Sequence, residues 1–551
     1  MEAGWTGAAI GLAACLATAC GGGGRAGADA DAADTAVEDS AAEPLDAPGE
    51  DVLDGPDGIA SLPGRCPGQP DTPAPADIAE IVFVREYGGW GGYRGSPLVV
   101  SDGSAPLVVD SAFGSVTAHG VDGGEAWSNA IDGRNYGGCI RADLDGDGTD
   151  WIAAADNSGS VYVWSTDGAA RAGWPFRVHL DADVRSLAAA DMDGDGGDEI
   201  VVFSSLTDNP PGEPNPNMYI LDGDGSVLAG WPHYRESDPY EANACIWCGG
   251  FNMNIALADV DGGGMDAVFT QDRYSVSIFH LDGTPVMTSA DFSWCGDPAP
   301  LHWGEIRTYI PCTAEFSVVC DAHDQILEFT YSPPLVADID DDTTAEVIAV
   351  PNSEEPVGTT TGSALTVFAP DRTHKPGFAP YHLSGPDVTS GAPHEVCPSA
   401  VAADFTGEHD GLEILAVHLD GTLRLYSATG EELWQVAYAT SACLCTEPVV
   451  ADLDGDRVPE AAVFVNCGDS EPTTLMVVDG AGDERLVQDL PFATIAAPTL
   501  TDLDADGELD VLLQAVSGAS AVKHYRWPGA TPDCLIWPTA RGDHSHTGSL
   551  L

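Results

Sequence analysis

Residues 189–203 read AADMDGDGGDEIVVF. Asp191, Asp193 and Asp195 stand at alternate positions, Gly194 and Gly196 follow the second and third of them, and Glu199 is ninth when Asp191 is counted as first. A run of β-branched and aromatic residues comes next. Carboxylates crowded in this way repel one another unless a cation sits among them. The glycines permit the positive φ that a tight turn requires. The acids at positions 1, 3 and 5 can then face one point, and the acid at position 9 closes the shell. Hard oxygen donors in this number suit Ca²⁺ better than Mg²⁺.

The stretch recurs along the chain. VADIDDDTTAEVIAV (336–350) supplies Asp338, Asp340, Asp342 and Glu346. VADLDGDRVPEAAVF (450–464) supplies Asp452, Asp454, Asp456 and Glu460. LTDLDADGELDVLLQ (500–514) supplies Asp502, Asp504, Asp506 and Asp510. ADLDGDGTDW (142–151) supplies Asp143, Asp145 and Asp147, but Trp151 stands at position 9, and Asp150, one place early, is the candidate substitute. Two copies are weaker. LADVDGGGMDAVF (257–269) begins its loop at Asp259 and has Gly263 for the third acid. AADFTGEHDGLEILAV (402–417) begins at Asp404 and carries Thr406, Glu408 and one extra residue. In PLVVSDGSAPLVVDS (97–111) the loop has shrunk further.

An EF-hand shares acids at positions 1, 3 and 5 but needs a glutamate at position 12 and a helix after the loop. Position 12 here is Ala154, Val202, Ala349, Val463 or Leu513. The segments that follow are β-rich, which excludes the EF-hand. Each unit instead reads as a lead-in run, the acidic loop, a second run, a turn and one or two further strands, as in DGTLRLYSATG followed by EELWQVAY. One such sheet cannot bury both faces, whereas a ring of them can. The reading is an all-β propeller of eight four-stranded blades, or seven if the shrunken copy is not a blade. The last blade lacks an outer strand, and IAEIVFV (78–84) is placed to supply it and close the ring.

The D-x-D-x-D-G-x-x-[DE] loop between two β runs resembles the FG-GAP/VCBS repeat of integrin-α-like propellers and of many bacterial surface proteins. The resemblance covers residues 95 to 530 and implies several bound calcium ions. The tail WPTARGDHSHTG from Trp537 is similar to a segment found near quinoprotein-like and FG-GAP propellers. Its Arg541–Asp543 tripeptide RGD is read as coincidence rather than as an integrin ligand.

Of the 551 residues, 88 are acidic and 20 basic, two of them lysines (Lys375 and Lys523), for a net charge of −68. Such a chain is repelled by nucleic acid and by anionic membrane surfaces. Residues 1–20 read as an export signal whose LATAC end resembles a lipobox, with Cys20 as the lipidated residue; an ordinary secretory signal is the alternative. Residues 21–77, rich in Gly, Ala, Asp and Pro, read as a disordered acidic linker ahead of a propeller over 78–551. Lipid anchoring would be the only membrane contact, at a bacterial outer membrane or cell surface; a secreted or periplasmic protein is the alternative.

Removal of Cys15 with the signal and lipidation of Cys20 would leave twelve of the fourteen cysteines. Exported chains keep such residues as disulfides. Cys245 and Cys248, Cys312 and Cys320, and Cys443 or Cys445 with Cys467 are the candidates. From Asp259 to Asp338 is 79 residues, against 48 from Asp143 to Asp191. The surplus, about 290–330, is rich in aromatics and cysteines and includes His302, Trp303 and Glu305. Insertions on rigid scaffolds commonly carry binding function. No nucleophile, zinc or phosphate-cradling motif is present. The expected function is therefore a calcium-binding surface module for a glycan or protein, not an enzyme. A polysaccharide lyase or quinone-dependent dehydrogenase on the same scaffold is the alternative.

Overall fold

The computed structural model describes residues 63–67, 77–88, 95–101, 105–178, 182–206, 216–233, 253–271, 275–284, 286, 306–307, 326–329, 331–355, 359–369, 374–378, 382–384, 398–439, 443–467, 472–516 and 520–551. Cys20, Cys245, Cys248, Cys312, Cys320 and nearly all of the 290–330 insertion lie outside the described residues.

The described elements are all strands, in eight separate antiparallel sheets. Each sheet is a blade. Blade 2 shows the plan: Cys139–Ala142, Trp151–Ala155, Ser160–Ser165 and Phe176–Arg177 pair in sequence order. The acidic loop joins the first two strands. Blade 1 is the sheet Leu98–Val100, Leu107–Gly120 and Glu125–Arg134, so the shrunken copy is a blade and the count is eight.

Buried residues cluster between blades. Ile140, Ala153 and Val163 of blade 2 pack with Leu187, Ile200 and Tyr219 of blade 3. Equivalent clusters join the later neighbours around the ring. Tyr87, Leu503, Leu512 and Val522 of blade 8 pack with Val108 of blade 1, which closes it. The closing strand is Val82–Gly88, paired antiparallel with Ser520–Trp527 through Val82↔Arg526 and Glu86↔Lys523. It begins later than the 78–84 expected from sequence. Ile81, just ahead of the strand, instead exchanges two hydrogen bonds with the Gln488 side chain of blade 7.

The C-terminal segment runs along the free edges of the first strands, which therefore line the ring's axis. Trp537 pairs with Val450 of blade 7. Pro538 O then accepts from Leu500 N of blade 8 (2.8 Å), and Ala540 N donates to Ser96 Oγ ahead of blade 1 (3.2 Å). His544 O, Ser545 O, Thr547 O and Gly548 O accept from Arg141, Ala189, Leu257 and Val336, the first strands of blades 2, 3, 4 and 5. The tail thus meets seven blades in ring order. Arg541 is 1% exposed, its guanidinium at the carbonyls of Ile255 and Pro334, so it is a structural element of the tail.

Two disulfides stand in the described residues. Cys443–Cys467 is one of the expected pairs. Cys66–Cys534 joins residues 468 apart and was not foreseen. Cys139 is a buried thiol in the core between blades 1 and 2.

Candidate metal-binding loops

Six of the seven loops are pinned from the same two positions, the exception being the Asp143 loop, where Trp151 stands in place of the acid. Position 2 is apolar and buried: Leu144, Met192, Val260, Ile339, Phe405, Leu453 and Leu503. The acid at the start of the second strand accepts that residue's backbone N–H. Glu199 takes Met192 N (2.9 Å), Glu346 takes Ile339 N (3.1 Å), Glu460 takes Leu453 N (2.8 Å) and Asp510 takes Leu503 N (2.9 Å). Asp266 and Glu413 do the same for Val260 and Phe405 in the two weaker loops. A buried N–H without a partner is costly, so this acid has a structural role before any metal is considered.

Four loops gather ligand atoms within 4.8 Å of one another: Asp191, Asp193 and Glu199; Asp338, Asp340 and Glu346; Asp452, Asp454 and Glu460; Asp502, Asp504 and Asp510. These are positions 1, 3 and 9. Position 5, expected to join them, stands apart and caps its own turn. Asp195, Asp342, Asp456 and Asp506 each accept the backbone N–H two residues on, at 2.8–3.0 Å. The position-1 acids accept two loop amides each; Asp191 takes Gly194 N and Gly196 N.

Asp143, Asp145 and Asp147 do not form such a group. Arg171 grips Asp145 at 2.7 and 2.8 Å while lying over the Trp151 ring, and Trp151 Nε1 donates to the same carboxylate (3.0 Å). A donor at position 9 has replaced the acceptor, and a guanidinium supplies the charge. Asp150 does not substitute, because it turns away and accepts Ser101 N from blade 1 (2.9 Å). In the Asp259 loop the group is Asp261, Asp266 and His280, with His280 Nδ1 2.7 Å from Asp266 Oδ1. At the Asp404 loop Arg65, from the segment read as linker, donates to Asp404 (3.3 Å) and bidentately to Asp341 (3.0 Å).

Protein cations also reach three of the four tight groups. Lys375 meets Asp340 and Glu346. Arg485 meets Asp454 (3.1 Å). Arg526 meets Asp504 (2.8 Å), Asp506 (2.9 Å) and Asp510 (3.4 Å). Among the described residues, no basic side chain pairs with Asp191, Asp193, Asp195 or Glu199. Burial, together with the charges of Asp193, Asp191 and Asp195, pushes Glu199 up to about 7. Burial pushes Glu460 up to about 9. The all-oxygen set of the Asp191 loop fits Ca²⁺, and its charge is uncompensated without one.

No family model and no curated protein matches the sequence. Among solved structures the chain is similar to BamB from Moraxella catarrhalis, at 14% identity over 81% of this chain and 100% of that one, with a TM-score of 0.47. It is also similar to the Dos1 propeller, at 10% identity over 81% of this chain and 95% of that one, with a TM-score of 0.45. At these values the blade count rests on the strand pairing and the inter-blade cores above.

Proposed function

We propose that this chain is an exported, calcium-dependent propeller that binds a glycan or protein ligand at a cell surface, with the Asp191 loop as its principal calcium site. The observation that carries this reading is the Asp191, Asp193 and Glu199 group, which converges with no protein cation beside it among the described residues. Binding rather than catalysis is favoured because the chain's own tail lies along the axis, where a dehydrogenase on this scaffold would hold a cofactor. The disulfides suit an oxidising compartment. The proposed anchor is a lipid on Cys20, and the loops are of the FG-GAP/VCBS kind. Bound calcium stabilises by linkage, about 1 kcal/mol per site at millimolar ion for a site of the extracellular class.

The test is a glycan array probed with the purified propeller in calcium and in chelator. Calcium-dependent retention of one glycan class supports the reading. A visible cofactor absorbance, or turnover of a polysaccharide, would replace it with the enzyme reading. Mass spectrometry of the detergent-phase protein should show an acylated N-terminal Cys20.

A further inference from the structure

The Asp338 loop has the most acidic core of any copy, DIDDD, yet its charge is already met from within. Lys375 Nζ donates to Asp340 Oδ2 at 2.6 Å and to Glu346 Oε1 at 2.8 Å. These are two of the three carboxylates in that loop's tight group. Lys375 is buried, and Glu346 is fully so. A calcium ion bound to the same oxygens would sit about 2.3–2.6 Å from each. It would then share the ammonium's place, or press a double positive charge against a single one beside the buried Glu346. The backbone fixes the lysine there: Lys375 N donates to Val367 O, and Phe378 N to Lys375 O. The chain has only two lysines, and this one is spent in an acidic loop.

We propose that Lys375 is a built-in counter-ion that closes the Asp338 loop to calcium, so that the motif with the densest acids is not a metal site in the native protein. The Asp191 loop, with the same positions 1, 3 and 9 and no such cation among the described residues, stays open. The assignment rests on calcium being the ion of the open loop. Removing Lys375 leaves the buried Glu346 carboxylate uncompensated, a destabilising change that a divalent ion can reverse.

The experiment is calcium stoichiometry by calorimetry and elemental analysis on the full chain and four variants. Lys375→Gln should gain one calcium, melt lower than wild type in chelator and recover in calcium. Lys375→Gln with Asp340→Asn should lose that gain. Asp340→Asn alone should leave the native stoichiometry unchanged, which holds the test open even if Lys375→Gln folds poorly. Asp193→Asn should lower the stoichiometry by one. An unchanged count in Lys375→Gln, or a loss of one in Asp340→Asn, overturns the Lys375 assignment. A wild type that binds no calcium while Lys375→Gln binds one sinks the Asp191 reading and leaves Lys375 standing.

Discussion

Asp198, in the loop of blade 3, accepts the backbone N–H of Asp143 in blade 2 at 2.6 Å, and Asp198 N returns a bond to Asp143 O at 2.8 Å. Asp150 makes the matching contact from blade 2 back to Ser101 in blade 1. The acids at position 8 of these two loops are thus staples between blades. Asp198→Ala leaves the Asp143 amide without its acceptor and should cost about 1–3 kcal/mol. Chemical denaturation measures this, and calcium stoichiometry should not change. A lost calcium would place Asp198 in a metal shell instead.

The tail is expected to hold the ring from inside. A chain ending at Pro538 loses the carbonyls of His544, Ser545, Thr547 and Gly548. Hydrogen exchange should then show faster exchange at the amides of Arg141, Ala189, Leu257 and Val336, together with a lower melting temperature. Unchanged protection at those four amides would mean that the tail does not bear on the ring.

Calcium-free stability should fall as pH rises. Glu199 is raised from 4.5 to about 7 and Glu460 from 4.5 to about 9, so the folded state holds their protons more tightly than the unfolded chain. That contribution is complete below pH 4.5, and it is lost through pH 7 for Glu199 and through pH 9 for Glu460. On the proposed function, calcium takes the place of the proton at Glu199. Melting curves from pH 5 to 8 should slope downward in chelator and flatten in calcium. Glu199→Gln should remove most of the difference between the two. Parallel slopes with and without calcium would contradict the account.

Much of the architecture was legible because it is local. The seven acidic loops and the shrunken copy at Pro97 gave eight blades, and the alternation within each unit gave the strands. The convergence of positions 1, 3 and 9 was also legible. The partners were not. Arg171 lies 26 residues from Asp145 and Lys375 lies 35 from Asp340, beyond the loop and across a blade. The turn-capping bonds of position 5 were not read from the sequence, although an aspartate followed by a backbone amide two residues on commonly makes them. Cys66 pairs with Cys534 across 468 residues, a closure that spacing cannot reveal. The tail announced itself as a motif, while its course past seven blades depends on partners up to 444 residues away.

The strap at residues 63–67 offers a separate check. Cys66 is bonded to Cys534, Gly64 O accepts Asp404 N (2.9 Å), and Arg65 bridges Asp341 and Asp404. Non-reducing peptide mapping should recover the Cys66–Cys534 and Cys443–Cys467 peptides. Cys66→Ser should speed exchange at the Asp404 amide and leave the Asp191 loop unaffected. A free thiol at Cys66 in protein from its native compartment would refute the strap.

The most direct measurement is an anomalous difference map from crystals grown in calcium. The account predicts a peak between Asp191, Asp193 and Glu199, about 2.3–2.6 Å from their oxygens. It predicts none in the loop where Arg171 holds Asp145. A saturated crystal with no peak at the Asp191 loop would contradict it.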